Sequence, residues 1–315
     1  MTRLSVVIPT WDGLEVLRSC LAALAQQTRP ADEVVVVDNG SVDGTAEELA
    51  RDWPDVRVVR LPVNRGFAGG VNAGISASTG DRVVLLNNDA EPDPHFLAEL
   101  VAADAHAGAR TAAITAKIVG HDGRLQDTGD FLTAWGLAVQ RGNGEPDDGR
   151  YDEALDVTSP CGGACLWRRE ALDDVGLFAE DFFAYFEDLD LGMRARLRGW
   201  EVQYAPRAVA RHAVSATSGR IPGFQQFHST RNLWWLVLRC VPAPQLGLVL
   251  ARLALWQLKG LAGAARRGQL RTTLRAHTAA ARGLPRVLRA RRKIQQGRGH
   301  GTGPLLSSSR RRLDR

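Results

Sequence analysis

The chain has 315 residues, 44% of them hydrophobic, which is enough for one large domain or for a domain with an appendage. Four cysteines are too few for a disulfide framework and fit a reducing compartment. Charge is unevenly distributed: residues 1–232 carry 22 Lys and Arg against 34 acids, whereas residues 233–315 carry 18 against one. The resulting balances of −12 and +17 are typical of an acidic enzyme followed by a segment that meets an anionic partner.

Short apolar runs alternate with helical patterns in the first part of the chain. Apolar runs at 4–8, 33–37, 56–59 and 83–86 predict strands. Helical spacing at 14–27, 44–52 and 94–106 predicts helices, and a glycine-rich turn at 64–74 opens another. This alternation predicts βαβ units and a parallel sheet.

Three of these strands end in polar residues. Because the carboxyl ends of parallel strands meet at one edge of the sheet, we expect a ligand crevice there. Asp38 could accept the ring N–H of a pyrimidine base, and the backbone around Arg65-Gly66 could approach phosphate closely. The residues at these strand ends are Pro9, Thr10, Asp38, Asn87, Asn88 and Asp89.

Two of these features have simpler interpretations. Asp89 could hold a divalent cation through its carboxylate oxygens, or it could cap the helix predicted at 94–106. The glycine run could approach a phosphate, or it could form a tight turn with close helix–sheet packing. It does not match the dinucleotide-binding fingerprint, because no G-x-G-x-x-G follows the first strand.

The pattern changes after residue 111. A strand at 111–119 is followed by a polar, glycine-rich stretch to Arg150, and a short helix is predicted at 169–175. We expect a mixed sheet edge in this part, with residues 142–150 as a mobile surface loop.

A second acidic cluster begins a helix predicted at 187–198. Glu187, Asp188 and Asp190 follow four aromatic residues, and a carboxylate beside an apolar wall is a candidate general base for a hydroxyl group. The helix dipole would lower the pKa of such a base, and helix capping is an alternative role for Glu187 and Asp190. His212 ends a strand predicted at 207–212, where a lone histidine is more often structural than a ligand.

In this order, the motifs resemble the inverting glycosyltransferases of family 2, which have the GT-A fold. The resemblance covers roughly residues 4–240. Gly-Phe-Ala-Gly-Gly, Asn-Asn-Asp-Ala and Phe-Glu-Asp-Leu-Asp-Leu are most similar to a rhamnosyltransferase-like branch acting on lipid-linked or cell-wall glycans. The matching residues are Val6-Val7-Ile8-Pro9-Thr10, 36–45, 64–70, Asn87-Asn88-Asp89, Glu187-Asp188 and His212.

The resemblance implies a role for each matching residue. Asp188 would be the catalytic base, with Glu187 beside it, and Asp89 and His212 would hold Mg²⁺ or Mn²⁺. Asn87 stands where many family members have aspartate, which removes one charge from the metal site. Single sugar addition is expected, because the Gln-x-x-Arg-Trp sequence of processive synthases is absent. The donor nucleotide sugar would contact Pro9, Thr10, Asp38, Arg65, Gly66, Asn87 and Asn88.

The C-terminal part is apolar and then strongly basic. Only twelve residues between Arg239 and Arg252 lack a charge, too few for a membrane span. Paired tryptophans, apolar helix faces and basic charge favour helices lying on an anionic membrane surface. Alternatively these helices pack on the enzyme with a solvated basic face; nucleic acid is not expected, because no binding module accompanies the charge. We therefore divide the chain into a catalytic domain at 1–220, a basic helical segment at 221–296 and a disordered tail at 297–315.

The predicted function is metal-dependent, inverting transfer of one sugar, best matched by rhamnose from dTDP-rhamnose, to a lipid-linked or cell-surface glycan. A UDP-sugar donor, a nucleotidyltransferase and a non-catalytic nucleotide-sugar-binding scaffold are the alternatives. No long apolar core of a signal peptide begins the chain, so we expect a cytoplasmic protein, peripheral at the inner face of the membrane.

Overall fold

A computed structural model describes residues 2–213, 221–297 and 306. Its strands are β1 (Leu4–Thr10), β2 (Glu33–Asp38), β3 (Arg57–Arg60), β4 (Arg82–Leu86), β5 (Ala90–Pro92), β6 (Thr111–Gly120), β7 (Leu125–Asp127), β8 (Asp130–Leu132), β9 (Ala138–Gln140), β10 (Ala164–Arg168) and β11 (Glu201–His212). Its helices are α1 (Leu14–Ala25), α2 (Thr45–Asp52), α3 (Gly66–Ala77), α4 (Phe96–His106), α5 (Arg169–Val175), α6 (Glu187–Leu197), α7 (Phe224–Cys240), α8 (Ala243–Arg266), α9 (Leu270–Arg282) and α10 (Leu284–Gln296), with one 3-10 turn at Glu180–Phe182.

A mixed sheet forms the centre of the molecule. Its strand order is β3-β2-β1-β4-β10-β6-β11-β5, with β7 paired to β6. Strands β1 to β4 are mutually parallel, whereas β10 runs antiparallel to both β4 and β6. The predicted parallel half and mixed half are therefore both confirmed.

The parallel strands are apolar on both sides because helices cover both faces of the sheet. Val6 and Ile8 point into a core with Leu17 of α1 and Phe96 of α4. Val7, between them, points into a second core that includes α3, α5 and α6. Side-chain alternation along one strand thus supplies both cores, and the carboxyl ends of β1, β2 and β4 share one edge, as predicted.

Two local details differ from the sequence-based expectations. The chain forms a further strand, β5, directly after Asp89, where only a helix at 94–106 was predicted; β5 is a short edge strand beside β11, where its Pro92 is tolerated. The capping role considered for Asp89 is wrong, because α4 begins after His95 and has no side-chain cap.

A third core joins the C-terminal helices to the rest of the protein. Leu189 and Met193 of α6 pack with Leu236 of α7 and with residues of α8 and α10. The helix α7 therefore lies against the helix that begins with Glu187-Asp188. Residues 298–305 and 307–315, which make up nearly all of the tail predicted to be disordered, lie outside the described residues.

In the described part of the chain, α8 is the one helix long and apolar enough to cross a membrane, judged by length and composition alone. A span was not expected from the sequence, because only twelve residues between Arg239 and Arg252 lack a charge, and Arg252 and Lys259 both lie within α8. Arg252 donates a hydrogen bond to the carbonyl of Ala134, and Val249 and Leu253 are buried in the third core. One side of α8 is thus packed on the protein.

Candidate functional site

The turn Asn87-Asn88-Asp89 connects β4 to β5 at the shared sheet edge. His212 ends β11 directly beside it, since β11 pairs with β5 and places His212 opposite Ala90. As a result, Nε2 of His212 lies 2.9 Å from Oδ1 of Asp89 and 3.1 Å from Nδ2 of Asn87. The structure brings together the two side chains predicted to hold a metal ion.

The donor atoms at this point suit a divalent cation. The Asp89 carboxylate is acceptor-only when ionised, and its side chain is only 8% exposed, so its contact with an imidazole nitrogen calls for a proton or a cation there. No group of three His, Cys, Asp or Glu side chains with metal-binding geometry occurs among the residues described. If Asp89 and His212 held a cation, its other positions would be open to phosphate oxygens and water, the pattern by which Mg²⁺ is held beside substrates.

The remaining residues of the turn are tied to neighbouring strands. The main-chain N–H of Asn87 donates to the carbonyl of Gly163, 2.9 Å away. Nδ2 of Asn88 donates to Oγ1 of Thr10 at 2.8 Å, which links the ends of β4 and β1. Thr10 and Asn88, both predicted to contact the donor, are thus brought together and are both buried.

Asp38 lies at the end of β2 and is almost completely buried. Its Oδ1 accepts a hydrogen bond from the N–H of Ser41 at 2.9 Å, and Arg60 lies 3.7 Å from Oδ2. Pro9, one strand away, faces α3: a methyl group built on Gly70 would lie 3.3 Å from its Cβ. Asp38 shapes the turn that follows β2 at the crevice edge.

The glycine-rich turn is held by Asn39, a residue within the matching range 36–45 for which no role of its own was predicted. Asn39 accepts a hydrogen bond from the N–H of Arg65 and donates one to the carbonyl of Gly66, both at 2.9 Å. Gly66 has φ +72°, and a Cβ there would lie 2.3 Å from the carbonyl oxygen of Phe183. The guanidinium of Arg65 forms an ion pair with Glu180 at 2.6 Å. The turn is therefore packed against the segment that leads to Asp188.

Asp188 lies in the first turn of α6 and accepts two main-chain hydrogen bonds. Gly162 donates to Oδ2 at 3.1 Å, and Leu189 donates to Oδ1 at 2.7 Å. A methyl group on Gly162 would lie 3.2 Å from the Phe67 ring and 3.4 Å from Cβ of Asp188, so the small residue permits this approach. Gly162 thus holds Asp188 while its neighbour Gly163 holds Asn87.

Burial changes the proton affinity of both acids. It raises the pKa of Asp188 despite its main-chain hydrogen bonds. The pKa of Glu187 lies well above the usual range because of burial and then the negative charge of Asp188. Oε2 of Glu187 is buried and has no hydrogen-bond partner in the described residues. Desolvation therefore outweighs the main-chain hydrogen bonds, and Asp188 is a stronger base than an ordinary aspartate.

Two further buried acids interact with this pair, and neither was predicted from the sequence. Asp127 accepts hydrogen bonds from the N–H of Gly129 at 2.6 Å and from Gln140 at 3.0 Å; burial raises its pKa to about 6. Burial and the charge of Asp127 raise the pKa of Asp130 well above its usual range. Both acids also interact electrostatically with Asp188. Asp127 lies on β7 and Asp130 lies on β8. Each of these strands has only three residues, and both lie in the stretch that was predicted to be polar and rich in glycine.

The segment before Glu187 has an uncommon backbone conformation. Phe183, Tyr185 and Phe186 have φ values of 67°, 69° and 68°, a region that bulky residues rarely adopt. Asn232 of α7 holds this segment: its Nδ2 lies within 2.9 Å of the carbonyl oxygens of Phe182, Ala184 and Tyr185. No sequence signal identified this helix as part of the site.

Comparisons with known proteins agree with this geometry. The Glycosyl transferase family 2 model matches residues 5–176. The N-acetylglucosaminyl-diphospho-decaprenol L-rhamnosyltransferase of Mycobacterium tuberculosis is 30% identical over 242 residues, which cover 70% of this chain and 78% of that protein. An uncharacterised protein, y4gI of Sinorhizobium fredii, is 32% identical over 230 residues, which cover 68% of this chain and only 25% of that protein.

The fold also matches solved structures. The mannosyltransferase PcManGT of Pyrobaculum calidifontis, determined with GDP-Man and Mn²⁺, superposes with a TM-score of 0.55 at 20% identity. The match covers 94% of this chain and 86% of that protein. The α/β architecture is that of the GT-A glycosyltransferases.

Proposed function

This chain belongs to glycosyltransferase family 2, and we propose that it transfers a single sugar from a nucleotide sugar to a glycan acceptor with inversion at the anomeric carbon. The observation that carries the proposal is the link made by Gly162 and Gly163. Gly162 holds the base Asp188, and Gly163 holds the turn that bears Asp89. A proton acceptor and a candidate cation site are thereby fixed by two adjacent residues.

Asp188 acts as the general base. Its carboxylate takes the proton of the acceptor hydroxyl as that oxygen forms a bond to the anomeric carbon. The bond from the anomeric carbon to the diphosphate oxygen breaks on the opposite face, and the electron pair leaves with the nucleoside diphosphate. Attack in line with the leaving group inverts the configuration, as in inverting glycosidases with an alcohol in place of water.

Asp89 and His212 would hold a divalent cation, Mg²⁺ or Mn²⁺. When bound, such a cation offsets negative charge on the diphosphate that leaves. The protein contributes the positions of the two ligands and a largely buried carboxylate, which strengthens its attraction for positive charge. Asn87 brings an amide where a carboxylate would add a second charge, so we expect moderate affinity for the free ion.

The donor is a nucleoside diphosphate sugar, with dTDP-rhamnose as the first candidate. The similarity to a rhamnosyltransferase supports rhamnose, and the acceptor named for that protein supports a polyprenyl-linked glycan. Asp38 at the end of β2 and the turn around Gly66 would contact the nucleotide, with Pro9, Thr10, Arg65, Asn87 and Asn88 around the crevice. Glu187, buried beside the base, would help to position the acceptor.

The helices α8 to α10 would place the enzyme on the cytoplasmic face of an anionic membrane, where a polyprenyl-linked acceptor resides. Leu248, Leu255 and Leu258 of α8 are 58%, 47% and 65% exposed, and their spacing puts them along one side of the helix. Residues 233–297 contain no acid. Exposed apolar groups among basic side chains suit an anionic lipid surface. The exposed basic residues of these helices are Lys259, Arg266, Arg267, Arg271, Arg275, Arg282, Arg286, Arg289, Arg292 and Lys293.

The test is nucleoside diphosphate release from dTDP-, UDP- and GDP-sugars, with a polyprenyl-linked glycan extract as acceptor and with Mg²⁺, Mn²⁺ or a chelator. We expect metal-dependent release from dTDP-rhamnose. Asp188→Asn should reduce kcat about 10²- to 10⁴-fold, the usual contribution of a general base. Asp173→Asn, an exposed carboxylate on α5, is the matched control and should retain wild-type turnover.

Each result separates the alternatives. Release from a UDP-sugar alone would keep the mechanism and change the donor. Full activity of Asp188→Asn would contradict the assigned base. If the protein bound nucleotide sugars but turned over none of the donors, it would be a non-catalytic scaffold and not a transferase.

A further inference from the structure

Gln126, on β7, contacts His212 at two points. Its Nε2 donates a hydrogen bond to the main-chain carbonyl of His212 at 2.9 Å, and its Oε1 lies 2.9 Å from Nδ1 of the ring. If the side-chain amide of Gln126 were rotated by 180°, its Oε1 would face the main-chain carbonyl oxygen of His212, and both atoms can only accept. The main-chain contact therefore fixes which end of the amide faces the imidazole.

This arrangement determines where the ring carries its hydrogen. An amide oxygen can only accept, so Nδ1 of His212 must be the donor. In the neutral ring Nε2 is then left with a free electron pair. That atom lies 2.9 Å from the Asp89 carboxylate, where two facing electron pairs require a proton or a cation between them, and the amide of Asn87 lies 3.1 Å away.

We propose that Gln126 is a positioning residue that selects the Nδ1–H form of His212 and so presents Nε2 to the divalent cation. The inference rests on the metal site of the proposed function. In metal sites generally, a hydrogen-bond partner at the second nitrogen fixes the tautomer and orientation of a ligating histidine, and its loss costs 10- to 100-fold in metal affinity or activity.

The strands around the site hold this contact in register. Both β7 and β11 pair with β6: Val119 lies opposite Leu125 on one side, and Gly120 lies opposite His212 on the other. A methyl group on Gly120 would lie 3.0 Å from Nε2 of Gln126, so glycine leaves room for the amide. Asn143 donates to the main-chain carbonyl of Gln126 at 2.8 Å and fixes β7 independently of the side chain.

Two variants and one control test the role. Gln126→Leu removes both contacts, Gln126→Glu keeps an acceptor opposite Nδ1, and Asn143→Ala loosens β7 without touching the imidazole. The first measurement is the ¹⁵N shifts of His212 in the metal-free full chain at pH 8, which distinguish the two tautomers. The second is the affinity for Mn²⁺ alone, measured by electron paramagnetic resonance.

We expect Nδ1 to carry hydrogen in wild type, Gln126→Glu and Asn143→Ala, and Gln126→Leu to hold its ring hydrogen on Nε2 alone, donated to Asp89. Mn²⁺ affinity should fall 10- to 100-fold in Gln126→Leu and change less than threefold in Asn143→Ala, and Gln126→Glu, which keeps the acceptor but loses the donor to the His212 carbonyl, should fall between the two. An unchanged tautomer in Gln126→Leu would overturn the proposal, and so would an equal loss of Mn²⁺ affinity in Asn143→Ala. Because the tautomer is read without metal, failure of wild type to bind Mn²⁺ would instead contradict the metal dependence of the proposed function.

Discussion

Arg239 of α7 donates two hydrogen bonds to the carboxylate of Asp190 on α6, from Nε to Oδ1 at 2.6 Å and from Nη2 to Oδ2 at 3.2 Å. Arg194 donates to the same carboxylate at 2.8 Å. All three side chains are buried, and Asp190 is completely so. The ion pair joins a C-terminal helix to the helix that begins with Glu187 and Asp188.

Replacing Asp190 with asparagine should destabilise the protein by about 3–5 kcal/mol, because two buried guanidinium groups lose their counter-charge. Urea unfolding would measure this. The matched control is Asp181→Asn, which breaks an exposed pair with Arg286 at 3.1 Å and should cost at most about 1 kcal/mol. Equal losses in the two variants would show that the buried pair contributes nothing beyond surface electrostatics.

The stabilisation that Asp190 provides should also depend on pH. Burial alone would raise the pKa of Asp190, but the charges of Arg239 and Arg194 outweigh it and lower the pKa below its ordinary value. The stabilisation is therefore fully present above the unfolded-state pKa of about 3.9 and is lost as pH falls through the lower folded value. The difference in unfolding free energy between wild type and Asp190→Asn should be constant from pH 5 to 8 and shrink in stronger acid.

Gly66 provides a test of the contact between the glycine-rich turn and the segment before Glu187. In Gly66→Ala, a Cβ would lie 2.3 Å from the carbonyl oxygen of Phe183, a backbone atom that cannot rotate away. We expect a loss of stability together with a lower kcat, since Phe183 must shift and the chain leads directly to Asp188. Thermal unfolding and turnover would measure the two effects.

Gly44→Ala is the matched control. Gly44 also has a positive φ, +87°, and precedes a helix, but a Cβ there would meet nothing within 4 Å. The substitution Gly44→Ala should lower the free energy of unfolding only by the cost of placing alanine in the left-handed conformation, about 1–2 kcal/mol. A similar cost at both positions would mean that the contact with Phe183 adjusts freely and contributes nothing to the site.

The parallel half of the sheet could be predicted because the sequence of each strand shows whether its side chains are buried. Continuous apolar runs such as Val83–Leu86 require burial on both faces, and a polar residue at the end of each run marks the ligand edge. Asp89 and His212, 123 positions apart, could be paired only through the resemblance, because periodicity shows that a strand exists and not which strand lies beside it.

The parts of the site that went unnoticed are fixed by long-range packing. Asn232 lies on a helix whose apolar pattern showed that one face is buried, without showing that Phe182 to Tyr185 cover it. Asp127 lies on a strand of three residues, too short for alternation to be distinguished from a polar loop. The domain boundary at residue 220 stays a prediction.

The buried acid Asp127 predicts a second, opposite pH dependence. Its folded pKa of about 6 exceeds the unfolded value of about 3.9, so its contribution to stability is present below pH 4 and is lost as pH rises through 6. The loss amounts to about 3 kcal/mol.

Asp127→Asn removes this titration, so the variant should gain stability relative to wild type between pH 4 and 7. Chemical unfolding at several pH values would measure it, with Asp122→Asn on the exposed turn before β7 as control; parallel curves for Asp127→Asn and wild type would contradict the prediction.

The proposed membrane attachment through α8 would depend on the exposed apolar residues of this helix. We expect the full chain to co-sediment with vesicles that contain anionic phosphatidylglycerol and much less with neutral phosphatidylcholine, and to be released by high salt or alkaline carbonate. Leu255→Glu combined with Leu258→Glu should weaken binding at least tenfold, because two charges must then enter the lipid interface. Val63→Glu, an equally exposed apolar residue of the enzyme half at 62%, should bind as wild type does. Retention after carbonate would show that α8 spans the bilayer, whereas equal binding to both kinds of vesicle would contradict recognition of anionic lipid by the basic helices.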